Sequence, residues 1–144
     1  MIYLPDVNVW IALTSDQHVH HTAAKRWIKN LDADRLAFCR ITELGFLRLL
    51  TNHHVMGGGA LVPAQAWDIY DVLRDDPKIV FTPEPPAFSN HWRQIGKQIS
   101  GGPNAWTDAY LAAFASCEEM IVATFDRRFK ALSQCSVLTL DSGR

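Results

Sequence analysis

Four acidic side chains stand where apolar segments end or where helical patterns begin. Asp6 and Asp126 each follow a short apolar run, whereas Glu43 and Asp108 each come directly after a threonine at the start of a helix. A carboxylate between apolar segments is costly to bury unless a partner or a cation offsets its charge. These four acids are therefore the first candidates for chemistry.

Two interpretations of the acids are open at this point. If the strands before Asp6 and Asp126 are neighbours in a parallel sheet, the two carboxylates meet at one edge. A cluster of like charges takes up protons or binds a cation, and oxygen ligands without Cys or His favour Mg²⁺ or Mn²⁺. Such an ion can activate water and stabilise charge on a phosphate oxygen. Alternatively, each acid only caps a helix, which suits Glu43 and Asp108 better than the other pair.

The elements that would position the acids follow from the hydrophobic pattern. Short apolar strands alternate with amphipathic helices, which predicts an α/β fold whose parallel sheet is covered on both faces. We expect two helices in each of the first three crossovers, Pro5 at the end of the first strand, and Thr42 as a helix N-cap. Residues 51–60, with three consecutive glycines, are predicted to form a loop. The five predicted strands cover residues 2–4, 36–39, 79–81, 120–123 and 137–140.

Composition and charge narrow the class of protein. The chain has 144 residues, of which 48% are hydrophobic and 20% charged, and we expect one globular domain over residues 1–144. Its formal net charge is -1, so a nucleic-acid partner needs a local basic patch, for which Arg40, Arg127 and Arg128 are candidates. The three cysteines lack metal-type spacing, and neither a signal peptide nor a bilayer-spanning stretch is evident, so we expect a cytoplasmic protein.

The motifs around the acids resemble those of PIN-domain ribonucleases of the VapC toxin type. Four stretches carry the resemblance and occur in the family's order: Asp6-Val7-Asn8-Val9, residues 41–50, residues 106–112 and Ala123-Thr124-Phe125-Asp126. The resemblance implies a PIN-like three-layer sandwich with a five-stranded parallel sheet of order 3-2-1-4-5 and helices on both faces. It also implies a homodimer that cleaves RNA and is silenced by a small VapB-like antitoxin.

The same resemblance implies roles for individual residues. The family's metal-binding and catalytic acids correspond to four positions of this chain: Asp6, Glu43, Asp108 and Asp126. They would hold Mg²⁺, or Mn²⁺ as a substitute, for RNA hydrolysis. Asn8 and Thr124 match accessory polar positions that orient the acids or water, and the arginines Arg40, Arg127 and Arg128 could bind RNA phosphates.

Two other functions remain open from the sequence. One is a phosphatase with Asp6 as nucleophile, although the haloacid-dehalogenase motif has a second Asp where Asn8 stands. The other is a catalytically silent binding module on a PIN-like scaffold, against which the presence of all four acids argues. Five histidines lie in predicted loops, and we expect them to be ordinary polar residues and not a zinc site: His18, His20, His21, His53 and His54.

Overall fold

Five short strands form the centre of the structure, a computed structural model that describes residues 1–132 and 135–141. The strands are β1 (Ile2–Pro5), β2 (Arg35–Phe38), β3 (Ile79–Phe81), β4 (Ile121–Thr124) and β5 (Ser136–Thr139). All pair in parallel, in the order β3-β2-β1-β4-β5, which confirms the expected fold and strand order. From β1 the chain builds the sheet on one side through β2 and β3, and it then crosses to the other side of β1, where β4 and β5 lie. In open parallel sheets, ligands bind in the crevice at the carboxyl ends of such strands.

Helices connect the strands and cover both faces of the sheet. In the part of the chain that the structure describes, they are α1 (Val7–Thr14), α2 (His21–Lys29), α3 (Arg40–Leu50), α4 (His53–Met56), α5 (Pro63–Asp75), α6 (Phe88–Gly96) and α7 (Ala105–Glu118). Two short 3₁₀ segments follow α4 and β4, at Gly57–Gly59 and Arg127–Leu132. Within residues 1–132 and 135–141, no helix is long and apolar enough to cross a bilayer.

Two apolar cores, one on each face of the sheet, hold the helices in place. The core under α6 and α7 contains Ala37, whereas Phe38 points into the core under α1, α3 and α5, as the two-residue period of a strand requires. In that second core Trp10 stacks on Phe38 with ring centroids 3.7 Å apart. Helices α1 and α3 approach so closely that a Cβ on Gly45 would lie 2.7 Å from a methyl carbon of Val7. This contact brings α3 alongside the residues that follow β1.

Two local predictions are wrong, and with them the expected number of helices in the second crossover, which holds α3, α4 and α5. Helix α3 begins at Arg40, so Thr42 is not its N-cap but lies three residues inside, where its hydroxyl accepts a hydrogen bond from the backbone N–H of Cys39 at 3.0 Å. The predicted loop at residues 51–60 contains α4, because the side chain of Asn52 caps a helical turn by accepting from the N–H of His54 at 2.8 Å. Pro5 ends β1, as expected.

Candidate active site

Asp6 lies at the junction of β1 and α1 and is held from both sides. As the N-cap of α1, it accepts a hydrogen bond on Oδ1 from the backbone N–H of Val9 at 3.1 Å. Its own N–H donates to the carbonyl oxygen of Ala123 on β4 at 3.0 Å. The capping role considered for Asp6 is therefore real, but it uses only one carboxylate oxygen.

Thr124, the last residue of β4, joins Asp6 to Asp126. Its fully buried hydroxyl donates to Oδ2 of Asp6 and accepts from the backbone N–H of Asp126 at 3.0 Å. The carboxylate of Asp126 in turn accepts from the N–H of Arg128 at 2.9 Å. One buried hydroxyl thus fixes the relative positions of two acids, which is what an accessory polar residue at this position would do.

Asp108 is the third acid of the group. It lies in the first turn of α7, but Asn104 occupies the N-cap position, so Asp108 is not a helix cap. Burial, followed by the charges of Asp6 and Asp126, raises the pKa of Asp108 to about 6, and Arg128 opposes this shift. Burial also raises the pKa of Asp6, against hydrogen bonds from Thr124 and Val9, and the charge of Asp126 adds to it. The three aspartates therefore form a coupled group of like charges.

Glu43 is not brought together with the three aspartates. Only 8% of the residue is exposed, and its Oε1 lies 2.6 Å from Nη1 of Arg40. On the other side lies Tyr70, whose pKa is raised to about 12, chiefly by burial and then by the carboxylate of Glu43. An arginine thus already offsets the charge of Glu43. Because the described contacts of Glu43 include none with the aspartates and it does not line their cavity, we expect three carboxylate ligands for a cation here in place of the four that the resemblance implies.

Two surface cavities meet at the aspartates. The larger, of about 640 Å³, lies between α1, α3 and α7, and all three aspartates line it. The second, of about 480 Å³, lies under the turn between α6 and α7, and Asp108 and Asp126 line it as well. Asn8 is exposed and lines the larger cavity. Asp108 and Asp126 therefore stand between the two cavities, whereas Asp6 lines only the larger one.

The predicted RNA-binding arginines have different surroundings. Arg128 lines the second cavity, with Nε 3.3 Å from Oδ1 of Asp126. Arg127 is exposed beside it but lines neither cavity. Arg40 is held by Glu43 and by the ring of Phe81, whose centroid lies 4.7 Å from its guanidinium carbon. Of the three, Arg128 is thus the one at the cavities.

Sequence reasoning missed several polar residues of the larger cavity. They come from α3, the segment after it and the start of α7: Arg48, Thr51, Asn52, Asn104 and Thr107. The helical period of α3 could have indicated Arg48, because it follows Leu44 by four residues and Gly45 by three and so lies on the same face of the helix. All three residues line the same wall of the cavity.

The histidine cluster before α2 is structural. His20 stacks on Phe125 with ring centroids 4.2 Å apart, and its N–H donates to Nδ1 of His18 at 3.0 Å. Nδ1 of His21 lies 2.7 Å from the carbonyl oxygen of Ala12. These contacts pack the start of α2 against α1 and against the residue that precedes Asp126.

Comparison with known proteins assigns the chain to a family. The family model for the PIN domain matches residues 3–134. The chain belongs to the PIN-domain family. It is 39% identical over 131 residues to ribonuclease VapC41 from Mycobacterium tuberculosis, an alignment that covers 88% of this chain and 90% of that protein.

Solved structures of PIN-domain toxins have the same fold. VapC20 from Mycobacterium tuberculosis is 16% identical, with a TM-score of 0.69 over 91% of this chain and 94% of that one. A chain of a toxin–antitoxin complex from Klebsiella pneumoniae is 14% identical, with a TM-score of 0.65 over 95% of this chain and 96% of that one. The resemblance drawn from the four motifs is therefore confirmed.

The donor set of this PIN domain suits a hard divalent cation. Three carboxylates face one cavity, and the raised pKa of Asp6 and of Asp108 reflects burial and a repulsion that a dication would relieve. Within residues 1–132 and 135–141, no three Asp, Glu, His or Cys side chains stand close enough together to hold an ion without adjustment. The candidate ligands are the three aspartates that line the larger cavity, two of them linked by the hydroxyl of Thr124.

Proposed function

We propose that this PIN domain is an endoribonuclease that hydrolyses RNA phosphodiester bonds with Mg²⁺, for which Mn²⁺ can substitute. The observation that carries the proposal is the junction of two cavities at Asp108 and Asp126, with Asp6 on the wall of the larger one. An RNA strand that crosses the acids has space on both sides of them. Cleavage within a strand requires such space on both sides of the scissile bond. The 39% identity to a ribonuclease supports RNA as the substrate.

The residues of the site have distinct roles in this proposal. Asp6, Asp108 and Asp126 hold the cation, and Thr124 positions two of them through its hydroxyl. Mg²⁺ bound there supplies Lewis-acid activation of water and offsets the negative charge that develops on phosphate oxygens. Asn8, on the rim of the larger cavity, is placed to orient water or substrate.

A phosphatase mechanism with Asp6 as nucleophile fits the site less well. Both carboxylate oxygens of Asp6 accept hydrogen bonds, one from the backbone of Val9 and one from Thr124. Hydrogen bonds on both oxygens lower the nucleophilicity of the carboxylate, so we expect no turnover of phosphomonoesters. A silent binding module remains the other class of function, and the cleavage experiment below distinguishes it.

We also propose that the protein is the toxin of a VapBC-type pair, held inactive by a small antitoxin. The fold it shares with a toxin–antitoxin complex supports this partner. A homodimer belongs to the same proposal: on α5, Trp67 and Val72 are 47% and 68% exposed, and exposed apolar patches commonly mark interfaces. Tyr70, the other aromatic residue of α5, is buried against Phe38 and is not part of this patch. Sedimentation at micromolar protein should give two chains per particle; a monomer throughout that range would contradict the dimer.

Cleavage of RNA by a purified variant tests the proposed reaction. Asp108→Asn keeps the shape of the side chain but removes a charge that holds the cation. We expect a loss of at least about a hundredfold in rate, the order seen when one preorganised electrostatic contact is removed. Asp32→Asn, in the exposed turn between α2 and β2, removes the same charge away from the site and should cleave at the parental rate. Parental cleavage in EDTA equal to that in Mg²⁺ or Mn²⁺, or full activity of Asp108→Asn, would contradict the mechanism.

A further inference from the structure

Arg48 stands on the wall of the larger cavity that faces α7. It lies one turn after Gly45 on α3, and the tight contact of Gly45 with Val7 fixes this helix against α1. The same cavity is lined by Asp6 from the start of α1 and by Asp108 from α7. The arginine and the aspartates therefore share one space while belonging to different walls.

The guanidinium of Arg48 is not committed to a partner within the described chain. In residues 1–132 and 135–141, no carboxylate lies within 4 Å of it, whereas Arg40 is paired with Glu43 and Arg128 with Asp126. The Arg48 side chain is exposed and has no ion-pair partner among these residues, so the five N–H donors of its guanidinium are available for a ligand. Arg48 therefore differs from the two arginines that the sequence singled out near the acids.

The charge balance of the cavity indicates what Arg48 binds. Of the described residues that line it, three are aspartates and Arg48 is the basic one. A polyanion entering this space is repelled near the acids and needs a cation elsewhere on the wall. Arginine binds phosphate through two parallel N–H donors, which fixes both position and orientation.

We infer that Arg48 binds a backbone phosphate of the RNA substrate next to the scissile one, and that it is a substrate-positioning residue on the α3 side of the aspartates. This inference rests on the proposed function. Two polar residues after α3, Thr51 and Asn52, continue the same wall. They extend the surface that would contact the RNA strand. Because the phosphate assigned to Arg48 is not the one that is cleaved, its loss should weaken binding more than it slows the chemical step.

Two measurements on matched variants test this role. Arg48→Gln and Arg26→Gln both remove one exposed positive charge, but Arg26 lies on α2 and lines none of the cavities described above. The first measurement is steady-state cleavage of a mixed-sequence, single-stranded 20-nucleotide RNA in Mg²⁺. The second is binding of the same RNA in EDTA, across a series of salt concentrations.

For Arg48→Gln we expect a KM raised about tenfold, the effect of losing one charge-assisted hydrogen-bonding group, with kcat within about threefold of the parent. The slope of log affinity against log salt should fall in magnitude by about 0.7, the value for one phosphate contact with a single strand. Arg48→Lys should keep that slope while losing part of the affinity, because lysine is a point charge without the planar fork. Arg26→Gln should match the parent in KM, kcat and slope.

Several results would overturn the inference and separate its failure from that of the proposed function. If Arg48→Gln matches Arg26→Gln in KM and slope, Arg48 does not bind the phosphate. A fall in kcat with unchanged KM would place Arg48 in the chemical step and contradict a positioning role. If the parent binds the RNA with the expected dependence on Arg48 but does not cleave it, the proposed reaction fails while the inference stands. A parent that neither binds nor cleaves the RNA would refute both.

Discussion

Asp108→Asn should stabilise the metal-free protein at neutral pH, although it removes an acid from the active site. The pKa of Asp108 in the folded protein is about 6, against an ordinary value of 3.8. The folded state therefore binds this proton more tightly than the unfolded state does. The ionised form of Asp108 costs folding free energy because its burial and the charges of Asp6 and Asp126 both oppose it.

The size and pH dependence of this cost follow from linkage. The difference between 3.8 and about 6 corresponds to roughly 3 kcal/mol, and because Asp108 is half-exposed, screening by solvent reduces this to about 1–2 kcal/mol. Below pH 3.8 the residue is protonated in both states and costs nothing. The cost grows as pH rises from 3.8 to about 6 and is then constant. For a chain of this size it corresponds to roughly 3 to 6 °C in Tm.

Thermal and urea unfolding in EDTA between pH 4 and pH 8 measure the difference. We expect Asp108→Asn to be more stable than the parent at pH 7.5 and the two curves to converge near pH 4. Asp32→Asn, which removes an exposed charge in the turn between α2 and β2, controls for net charge and should unfold with the parent at pH 7.5. Adding Mg²⁺ should raise the Tm of the parent more than that of Asp108→Asn.

Two results would refute this reasoning. A parent more stable than Asp108→Asn at pH 7.5 in EDTA would mean that the carboxylate makes a favourable contact. A difference that does not change between pH 4 and pH 8 would mean that it arises from packing and not from ionisation.

Three further predictions concern the remaining residues of the site. Glu43→Gln should lower the free energy of unfolding by about 1 kcal/mol, because a buried carboxylate loses its ion pair with the exposed Arg40 side chain, yet keep kcat within about threefold; a hundredfold loss of rate would assign Glu43 to the catalytic group. Thr124→Val should lower the cleavage rate at least about tenfold, because Asp6 and the N–H of Asp126 lose their shared hydroxyl. Thr124→Ser keeps the hydroxyl and should retain most activity. Equal rates for the two variants would show that the hydroxyl is dispensable. At limiting Mg²⁺, cleavage should fall below about pH 6 as Asp108 takes up a proton, and saturating Mg²⁺ should move this midpoint to lower pH; a midpoint independent of Mg²⁺ would assign the titration to another group.

The sequence determined the fold and the position of two acids along the strands. Strands alternating with helices indicate a parallel sheet, and the four motifs indicated the family whose strand order the structure has. Asp6 and Asp126 follow neighbouring strands, so the geometry of any parallel sheet brings them to one edge. Thr124 lies at the end of β4, at the same edge of the sheet, and its hydroxyl is hydrogen-bonded to both acids for that reason. These features depend on local pattern and chain order, which a sequence contains.

The tertiary structure decided which helical side chains join that edge. Glu43 and Arg48 are five residues apart on α3, which places them about 140° apart around the helix, so one rotation of α3 cannot direct both into the cavity. Packing selects the rotation: Gly45 seats against Val7, which places Arg48 on the cavity wall and leaves Glu43 to pair with Arg40. A motif shows that an acid is present on a helix, but the contact between two helices determines the direction in which it points.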